Sequence, residues 1–269
     1  MSARGAGRAK RSLGQNFLID PNLQRKIVAA LGAGPDDEVL EIGPGRGALT
    51  RHLLGSVRRL ILVELDDELA RELDAEHRSR PDVLVVHADF LDVDRASLAD
   101  DPQALKVIGN IPYNITTPIL FRLLERPRPA EIVLMVQEDV AERIVAPPGG
   151  KTYGALSVGV RSVADVERVF AVGRQAFRPV PGVHSAVIRI VPHRPPRHTE
   201  EEERRLRRLV RAAFQWRRKQ LGKILRDHPD LRYDDDVAER AAARAGVTLE
   251  ARPERLAPEQ FWTLAGALQ

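Results

Sequence analysis

Short apolar runs alternate with amphipathic segments through the first two-thirds of this 269-residue chain, and this alternation restricts the fold more than any other feature. Alternation at this spacing predicts right-handed βαβ units and a parallel sheet that helices cover on both faces. The predicted strands are Glu38–Ile42, Leu60–Glu64, Val83–His87, Leu105–Gly109 and Glu131–Val136, and the predicted helices are Gly47–Leu54, Asp67–His77, Thr117–Leu124 and Glu138–Val145.

The last third of the chain departs from this pattern. Two apolar runs, Val166–Val172 and His184–Val191, leave no room for a crossover helix and predict an antiparallel hairpin that completes the sheet. A proline-rich linker follows, and after it the pattern predicts helices only. We therefore expect an α/β, Rossmann-like domain at residues 1–193 and a small all-helical domain at residues 194–269. The helices predicted in the second domain are Glu200–Trp216, Arg218–Arg226, Asp235–Ala245 and Pro258–Ala267.

Bulk composition excludes several classes of protein. Hydrophobic residues make up 43% of the chain, which is enough for a folded core. No apolar run approaches the roughly 18 to 20 residues that span a bilayer, and the N-terminus lacks the apolar stretch of a secretory signal. The absence of cysteine excludes disulfides and cysteine-based sites, and the seven histidines have no metal-ligand spacing. We expect a cytoplasmic protein with no membrane contact and no metal.

Positive charge is clustered along the chain. The net charge is only +4, but residues 1–11, a predicted basic arm, and residues 204–226 carry no acidic side chain. Such clusters favour a polyanionic partner such as nucleic acid, although solvated arginine-rich surfaces produce the same pattern. The basic residues are Arg4, Arg8, Lys10 and Arg11 in the first cluster, and Arg204, Arg205, Arg207, Arg208, Arg211, Arg217, Arg218, Lys219, Lys223 and Arg226 in the second.

A glycine-rich segment that includes Gly43 and Gly45 follows the first predicted strand and precedes a helix. Glycines allow a sharp turn and a close approach of the backbone to a ligand. Glu64 ends the next strand and can accept hydrogen bonds from ribose hydroxyls; Asp89 can accept from an adenine amine while Phe90 covers the ring. Each feature has a structural alternative, as a βα turn, a helix cap or a core aromatic. Because α/β sheets bind ligands at the carboxyl ends of adjacent strands, the sequence predicts a nucleotide-cofactor site.

The glycine spacing favours S-adenosylmethionine as this cofactor. The pattern departs from Gly-x-Gly-x-x-Gly, and Pro44 removes one of the backbone donors that a pyrophosphate needs. The sequence also has no Gly-Lys-Ser/Thr phosphate loop. S-adenosylmethionine contains adenine and ribose but no phosphate, so it suits a loop of this kind.

A short polar and aromatic loop, Asn110-Ile-Pro112-Tyr113, follows the fourth predicted strand. It can present an amide, backbone carbonyls and an aromatic face to one planar amine, which methylation of an exocyclic base nitrogen requires. We expect the Asn110 side-chain oxygen to accept a hydrogen bond from the amine and the Tyr113 ring to stack on the base. The structural alternative is a proline-containing turn with a surface tyrosine.

Further motifs stand in a fixed order along the chain: Gly14–Leu18, Glu41–Thr50, Glu64–Asp66, Asp89–Phe90, Asn110–Phe121, Gln137–Glu138, Val140–Arg143, Tyr153–Ser157 and Phe177–Ala186. In this order the sequence resembles the ribosomal RNA adenine N6,N6-dimethyltransferase family, from about residue 10 to the C-terminus. Pro118, Tyr153–Ser157 and Phe177–Ser185 are similar to the branch that modifies small-subunit RNA. The resemblance implies a Rossmann-like S-adenosylmethionine methyltransferase sheet followed by a helical RNA-binding domain.

The same resemblance implies the residues of both sites. Asn16 and Leu18 would hold the methionine end of S-adenosylmethionine, with Gly43 beneath it. Phe177 would close the face of the target base opposite Tyr113. The implied set is Asn16, Leu18, Glu41, Gly43, Gly45, Glu64, Leu65, Asp89, Phe90 and Asn110 for the cofactor, and Asn110, Pro112, Tyr113 and Phe177 for the reaction.

The substrate implied by the resemblance is a pair of adjacent adenosines in the 3′-terminal hairpin loop of 16S rRNA. Each would be methylated twice, in the immature small ribosomal subunit, by a monomeric protein. Three alternatives stay open: the branch that modifies 23S rRNA and confers macrolide-type resistance, a methyltransferase of DNA adenine or protein amides, and a non-catalytic ribosome-assembly factor. The segment Gln15–Leu18 and the basic tail argue against the second, and the intact Asn110 and Tyr113 argue against the third.

Overall fold

The computed structural model describes residues 14–268, and the chain divides into two compact units. The first unit comprises Met1–Ala141 and Glu167–Val191, and the second comprises Glu142–Val166 and Pro192–Gln269. The predicted domain boundary after residue 193 lies close to the division between Val191 and Pro192. The prediction was wrong about residues 142–166, which it assigned to the first domain. The basic arm predicted at residues 1–11 lies outside the described residues.

The described residues form nine β-strands: β1 Phe17–Leu18, β2 Glu38–Ile42, β3 Arg59–Glu64, β4 Val83–His87, β5 Lys106–Asn110, β6 Glu131–Gln137, β7 Ala164–Val172, β8 Phe177–Arg178 and β9 Ser185–Pro192. Seven of them form one sheet with the order β4-β3-β2-β5-β6-β9-β7, and β1 pairs with β8 separately. Strands β2 to β6 run parallel, and β9 runs antiparallel to β6. The predicted α/β, Rossmann-like sheet is therefore confirmed.

The helices of this part of the chain are α1 Pro21–Leu31, α2 Thr50–Leu53, α3 Asp67–His77, α4 Arg95–Leu98, α5 Thr116–Leu123 and α6 Glu138–Val145. Of these, α2 to α5 connect the parallel strands. Carboxylates begin two of the longer helices, because a helix N-terminus leaves backbone N–H groups without partners. Asp20 accepts hydrogen bonds from the first turn of α1, and Asp66 accepts them from the first turn of α3. Within residues 14–268, no helix is long and apolar enough to cross a membrane.

The order of the sheet reverses at β2, which pairs with β3 on one side and with β5 on the other. All five residues of β2 are buried, as expected for a parallel strand that is covered on both faces. In open α/β sheets, such a reversal leaves a crevice at the carboxyl ends of the strands, and ligands bind there. The fold therefore predicts a ligand site at the carboxyl ends of β2, β3, β4 and β5.

The five parallel strands were predicted to within one residue at each end, and the helices Asp67–His77 and Glu138–Val145 were predicted to the residue. The helix predicted at Gly47–Leu54 is shorter, because Gly47 has a left-handed φ of 71° and stays in the preceding turn. The two strands of the predicted hairpin are neighbours at the sheet edge, but the segment between them contributes β8 to a second sheet. The predicted hairpin therefore missed strand β8 and the second sheet to which it belongs.

The second unit is helical, with α7 Ala155–Arg161, α8 Glu200–Gln215, α9 Leu221–Asp227, α10 Asp235–Arg244 and α11 Pro258–Ala267. Its core includes Leu209, Ile224 and Phe261, and Tyr153 belongs to the same core. The Tyr153 hydroxyl donates a hydrogen bond to the Leu256 carbonyl at 2.7 Å, across 103 residues of sequence. This long-range packing explains why residues 142–166 belong to the second unit, which no local pattern indicated.

Candidate cofactor and reaction site

A cavity of about 380 Å³ opens at the carboxyl ends of the parallel strands in the first unit. It lies where the strand order reverses, as expected for a ligand site in this fold. Twelve of the residues proposed from the sequence line this one cavity: Asn16, Leu18, Glu41, Gly43, Gly45, Glu64, Leu65, Asp89, Phe90, Asn110, Pro112 and Tyr113.

Two glycines of the loop after β2 line one side of the cavity without side chains. Gly43 and Gly45 have φ angles of 63° and 58°, a left-handed conformation that glycine adopts readily. A Cβ atom at Gly45 would lie 3.3 Å from the Phe17 ring, so any side chain there would crowd the aromatic residue beside it. At Gly43 and Gly45 the loop therefore presents bare backbone, to which a nucleoside and a methionine chain can approach closely.

Glu64, the last residue of β3, points its carboxylate into a ring of backbone amides. Gly45 N donates to Oε2 and Asp66 N donates to Oε1, both at 2.9 Å. Burial raises the pKa of Glu64, and the two amides oppose this rise. No Lys or Arg side chain within the described residues forms an ion pair with it. The carboxylate is thus fixed in place and retains lone pairs for donors such as ribose hydroxyls.

Glu41 lies deeper, on β2, with only 2% of its surface exposed. Burial raises its pKa to about 7, although the Thr50 hydroxyl donates a hydrogen bond to it at 2.7 Å and opposes the rise. The charge of Glu64 raises the pKa further. A cationic group bound in the cavity would therefore favour the ionised form of Glu41.

Asp89 follows β4 and has both of the roles considered from the sequence. Its Oδ1 accepts a hydrogen bond from Leu91 N at 2.9 Å, so it does stabilise a turn. Its side chain also lines the cavity, and Oδ2 has no partner among residues 14–268. Phe90 is buried with 4% exposure, whereas Leu65 is 43% exposed at the cavity. One carboxylate oxygen and two apolar side chains are therefore placed to receive an aminopurine ring.

The segment from Gly14 to Ile19 crosses the cavity next to the glycine loop. Strand β1 pairs with β8, and Gln24 Nε2 donates to the Leu18 carbonyl at 3.0 Å. The Arg46 guanidinium lies over the Phe17 ring, 4.3 Å from its centroid. Only the family resemblance indicated that this segment belongs to the site, because a two-residue strand has no periodicity that a sequence pattern could display.

Asn110 ends β5 at the centre of the cavity. Its Nδ2 donates a hydrogen bond to the Asn16 carbonyl at 3.0 Å. Since a carbonyl can only accept, this contact fixes the orientation of the amide and directs Oδ1 to a different donor. The preceding residue must be glycine, because a Cβ at Gly109 would lie 2.9 Å from the Ile42 carbonyl oxygen. A close approach of β5 to β2 thus positions Asn110.

Tyr113 begins a short 3₁₀ turn, Tyr113–Ile115, directly after Pro112. Its hydroxyl lies 2.7 Å from Ser185 Oγ, and either oxygen can donate in this hydrogen bond. Burial raises the pKa of Tyr113, so the phenol stays neutral at physiological pH. Sequence reasoning did not assign a role to Ser185, since 72 residues separate it from Tyr113 and only the fold brings them together.

Phe177 was expected at the face of the target base opposite Tyr113, and in the structure its side chain is fully buried. Its ring has no exposed surface and packs in a core with Leu18, Ala176 and Val187, and it is not among the residues that line the cavity. In β8, Phe177 faces Leu18 of β1, while the next residue, Arg178, lines the cavity instead. In the structure the Phe177 ring therefore packs against the β1–β8 pair, and its contact with the target base stays a prediction.

Charge is distributed unevenly around the cavity. The acidic residues Glu41 and Glu64 line the cavity. Three basic residues, Arg46, Arg51 and Arg178, line it as well. Arginines beside an opening attract phosphate groups, so this arrangement suits a nucleic-acid substrate. Across residues 14–268, no group of three or more His, Cys, Asp or Glu side chains is arranged to hold a metal ion.

Comparison with known proteins identifies the family. Residues 6–269 match the model of the family described as ribosomal RNA adenine dimethylase. Ribosomal RNA small subunit methyltransferase A of Chlorobium luteolum is 47% identical over 97% of this chain and 90% of that protein. Its namesake in Geobacter metallireducens is 40% identical over 98% of both chains.

Solved structures agree with the sequence comparisons. A dimethyladenosine transferase from Plasmodium falciparum has a TM-score of 0.76 and 26% identity, and the match covers 92% of this chain and 95% of that one. The 23S rRNA methyltransferase ErmE has a TM-score of 0.71 and 30% identity, over 94% and 99% of the two chains. This chain therefore belongs to the ribosomal RNA adenine dimethylase family.

Proposed function

We propose that this protein dimethylates N6 of two adjacent adenosines in the 3′-terminal hairpin loop of 16S rRNA, with S-adenosylmethionine as methyl donor. It acts as a monomer on immature small ribosomal subunits in the cytoplasm. Support for small-subunit RNA comes from relatives named ribosomal RNA small subunit methyltransferase A, which are 40% and 47% identical to this chain. The 23S rRNA methyltransferase ErmE is 30% identical.

The orientation of the Asn110 amide is the observation that carries the proposal. Its N–H group is occupied by the Asn16 carbonyl, so Oδ1 is the atom directed to a substrate. The amino group of adenine is a poor nucleophile, because its lone pair is delocalised into the ring. A hydrogen bond from that amine to Oδ1 favours a pyramidal nitrogen and aims its lone pair, so Asn110 acts by positioning and by electrostatic stabilisation.

The cavity fits S-adenosylmethionine. When bound, this cofactor supplies a methyl group that its sulfonium sulfur has already activated. Glu64 would accept hydrogen bonds from the ribose hydroxyls, Asp89 Oδ2 would accept one from the adenine amine, and the side-chain-free loop at Gly45 would lie against the nucleoside. The ionised form of Glu41 would balance positive charge in the cavity, since no arginine or lysine among the described residues pairs with it.

The target base would stack on Tyr113. A purine that leaves its helix loses stacking energy, and an aromatic ring in the site replaces part of it. An adenosine in a hairpin loop is already partly unstacked, so moving it into the site costs little. Tyr113 and Asn110 are three residues apart on one loop, which allows the same segment to hold both the face and the edge of the base.

The second unit would contact RNA phosphates, but with only part of the basic cluster that the sequence indicated at residues 204–226. Arg204 and Arg205 both pair with Glu201. Arg211, Arg218 and Lys219 are exposed and have no acidic partner within residues 14–268. These three residues therefore place positive charge without an acidic partner in the C-terminal half of α8 and in the turn that follows it.

Salt dependence of rRNA binding tests this assignment. Changing Arg211, Arg218 and Lys219 together to glutamine should weaken binding and reduce the slope of log K against log salt by roughly 2, because each lost phosphate contact removes about 0.7 to 0.9. Changing Arg204 and Arg205 to glutamine is the matched control and should leave most of the slope unchanged. Equal slopes for all three proteins would contradict the assignment.

Mapping of transferred methyl groups tests the proposed function. The protein is incubated with labelled S-adenosylmethionine and unmethylated small or large ribosomal subunits, and the labelled nucleotides are identified. We expect dimethyladenosine at two adjacent positions near the 3′ end of the small-subunit RNA. Label confined to large-subunit RNA, or no label while the cofactor still binds, would overturn the proposal.

A further inference from the structure

The Tyr113 hydroxyl forms a hydrogen bond with the buried residue Ser185, and the proposed reaction gives Ser185 no role. The Tyr113 hydroxyl and Ser185 Oγ are 2.7 Å apart, and Ser185 has no exposed surface. Within the described part of the chain, Ser185 Oγ forms a hydrogen bond with no other group. Breaking this hydrogen bond is costly at Ser185, because its fully buried hydroxyl would lose its partner away from water.

The sheet holds Ser185 in a fixed position relative to the reaction site. Ser185 is the first residue of β9 and lies opposite Gln137, the last residue of β6. On the other side of β6, strand β5 ends at Asn110, which lies opposite Met135. Ser185 and Asn110 thus lie at the same end of the sheet, on β9 and β5, with β6 between them. Tyr113 lies on a loop, and its hydroxyl connects it to this end of the sheet.

Stacking on a base needs an aromatic ring but not a hydroxyl, so phenylalanine would stack equally well at position 113. What the hydroxyl adds is a fixed point at the far end of the ring. The backbone holds one end of Tyr113 through the 3₁₀ turn, and Ser185 holds the other end. With both ends held, the direction of the long axis of the ring is fixed, so the ring cannot swing away by rotation about χ1.

We propose that Ser185 is a positioning residue for methyl transfer: its hydroxyl fixes the position and long axis of the Tyr113 ring, and the ring places the base beside Asn110. This inference rests on the proposed function, because it takes Tyr113 as the platform for the base. Since Ser185 does not line the cavity, losing its hydroxyl leaves cofactor binding intact. A misplaced amine instead slows the transfer step, which depends steeply on alignment.

A double-mutant cycle tests the inference. The variants are Ser185→Ala, Tyr113→Phe, the double variant and Ser185→Thr, which keeps the hydroxyl. The readouts are the single-turnover rate of methyl transfer to unmethylated small subunits and the dissociation constant of S-adenosylmethionine. We expect each single loss of the hydroxyl to slow transfer about tenfold with an unchanged dissociation constant. The double variant should be no slower than either single variant, and Ser185→Thr should recover most of the rate.

Several results would overturn the inference. A folded Ser185→Ala protein within about twofold of the wild-type rate would do so, and so would losses that multiply to about a hundredfold in the double variant. If Ser185→Ala does not fold, Tyr113→Phe removes the same hydrogen bond, and a wild-type rate in that variant has the same meaning. A wild-type protein that leaves small subunits unmethylated would overturn the proposed function as well, whereas an active wild type with an unaffected Ser185→Ala variant overturns this inference alone.

Discussion

The amino and carboxyl ends of strands β2 to β5 use charged residues in opposite ways. At the amino ends, charged side chains that begin or precede the strands form ion pairs: Glu38 of β2 with Arg59 of β3 at 2.7 Å, and Lys106 of β5 with Asp37 at 2.9 Å. At the carboxyl ends, Glu41, Glu64 and Asp89 have no ion-pair partner in the described residues. Backbone amides and one hydroxyl hold these acids instead.

This contrast separates stability from function on the same strands. A carboxylate that an arginine neutralises has little capacity left for a ligand, so the amino-end network supports the fold only. A carboxylate that neutral donors hold is fixed in position but stays available to further donors or cations. Substitutions at the two ends should therefore fail in different ways, and that difference can be measured.

The largest expected effect is at the end of β5. Asn110→Ala removes the only side-chain acceptor proposed for the target amine, so methyl transfer should slow about a hundredfold or more. Binding of S-adenosylmethionine and of rRNA should change much less, since other residues carry most of their contacts. Single-turnover transfer and equilibrium binding measure the two separately. A normal rate would contradict the role of Asn110.

Glu41 should make the stability of the cofactor-free protein depend on pH. Its pKa is raised to about 7 in the folded state, so the folded protein keeps a proton that the unfolded chain has released. Stability from this source is present below about pH 4.5 and is lost as the pH rises towards 7. Glu41→Gln keeps an acceptor for Thr50 but does not titrate. Its stability relative to the wild type should rise by about 3 kcal/mol between pH 5 and pH 8, and parallel denaturation curves across this range would contradict the shift.

Glu64→Gln should weaken cofactor binding about tenfold or more, because an amide nitrogen replaces one of two accepting oxygens. The exposed Glu68 on α3 offers a matched control, and Glu68→Gln should leave binding unchanged. Calorimetric titration with S-adenosylmethionine measures both. If the two variants bind equally well, the ribose is not held at the end of β3.

The smallest effect is expected at the amino end. Glu38→Gln keeps an acceptor for Asp100 N but loses the ion pair with Arg59, so stability should fall by about 1 to 2 kcal/mol. The methyl-transfer rate of the folded protein should stay the same. Thermal unfolding together with turnover at low temperature would detect a change in either. A lower turnover number without a loss of stability would remove the distinction between the two ends.

Sequence patterns predicted the part of the molecule that local physics determines. Buried parallel strands are continuous apolar runs, so their positions were found to within one residue, and residues at strand ends such as Glu64 and Asp89 followed from them. Features that depend on distant contacts were not predicted. Strands β1 and β8 have two residues each, the Tyr153 contact to Leu256 spans 103 positions, and Ser185 reaches Tyr113 only through the sheet. The burial of Phe177 was also not predicted, because a motif gives the identity of a residue but not the direction of its side chain.

A crystal structure with S-adenosylmethionine bound would test the central contrast most directly. The contrast predicts that the ribose hydroxyls lie within about 3.2 Å of the Glu64 carboxylate and that the adenine amine lies as close to Asp89. The amino-end ion pairs, including Glu38 with Arg59, should stay unchanged. A cofactor that contacts neither Glu64 nor Asp89 would contradict the account, because the carboxyl-end acids would then have no ligand to explain their lack of ion pairs.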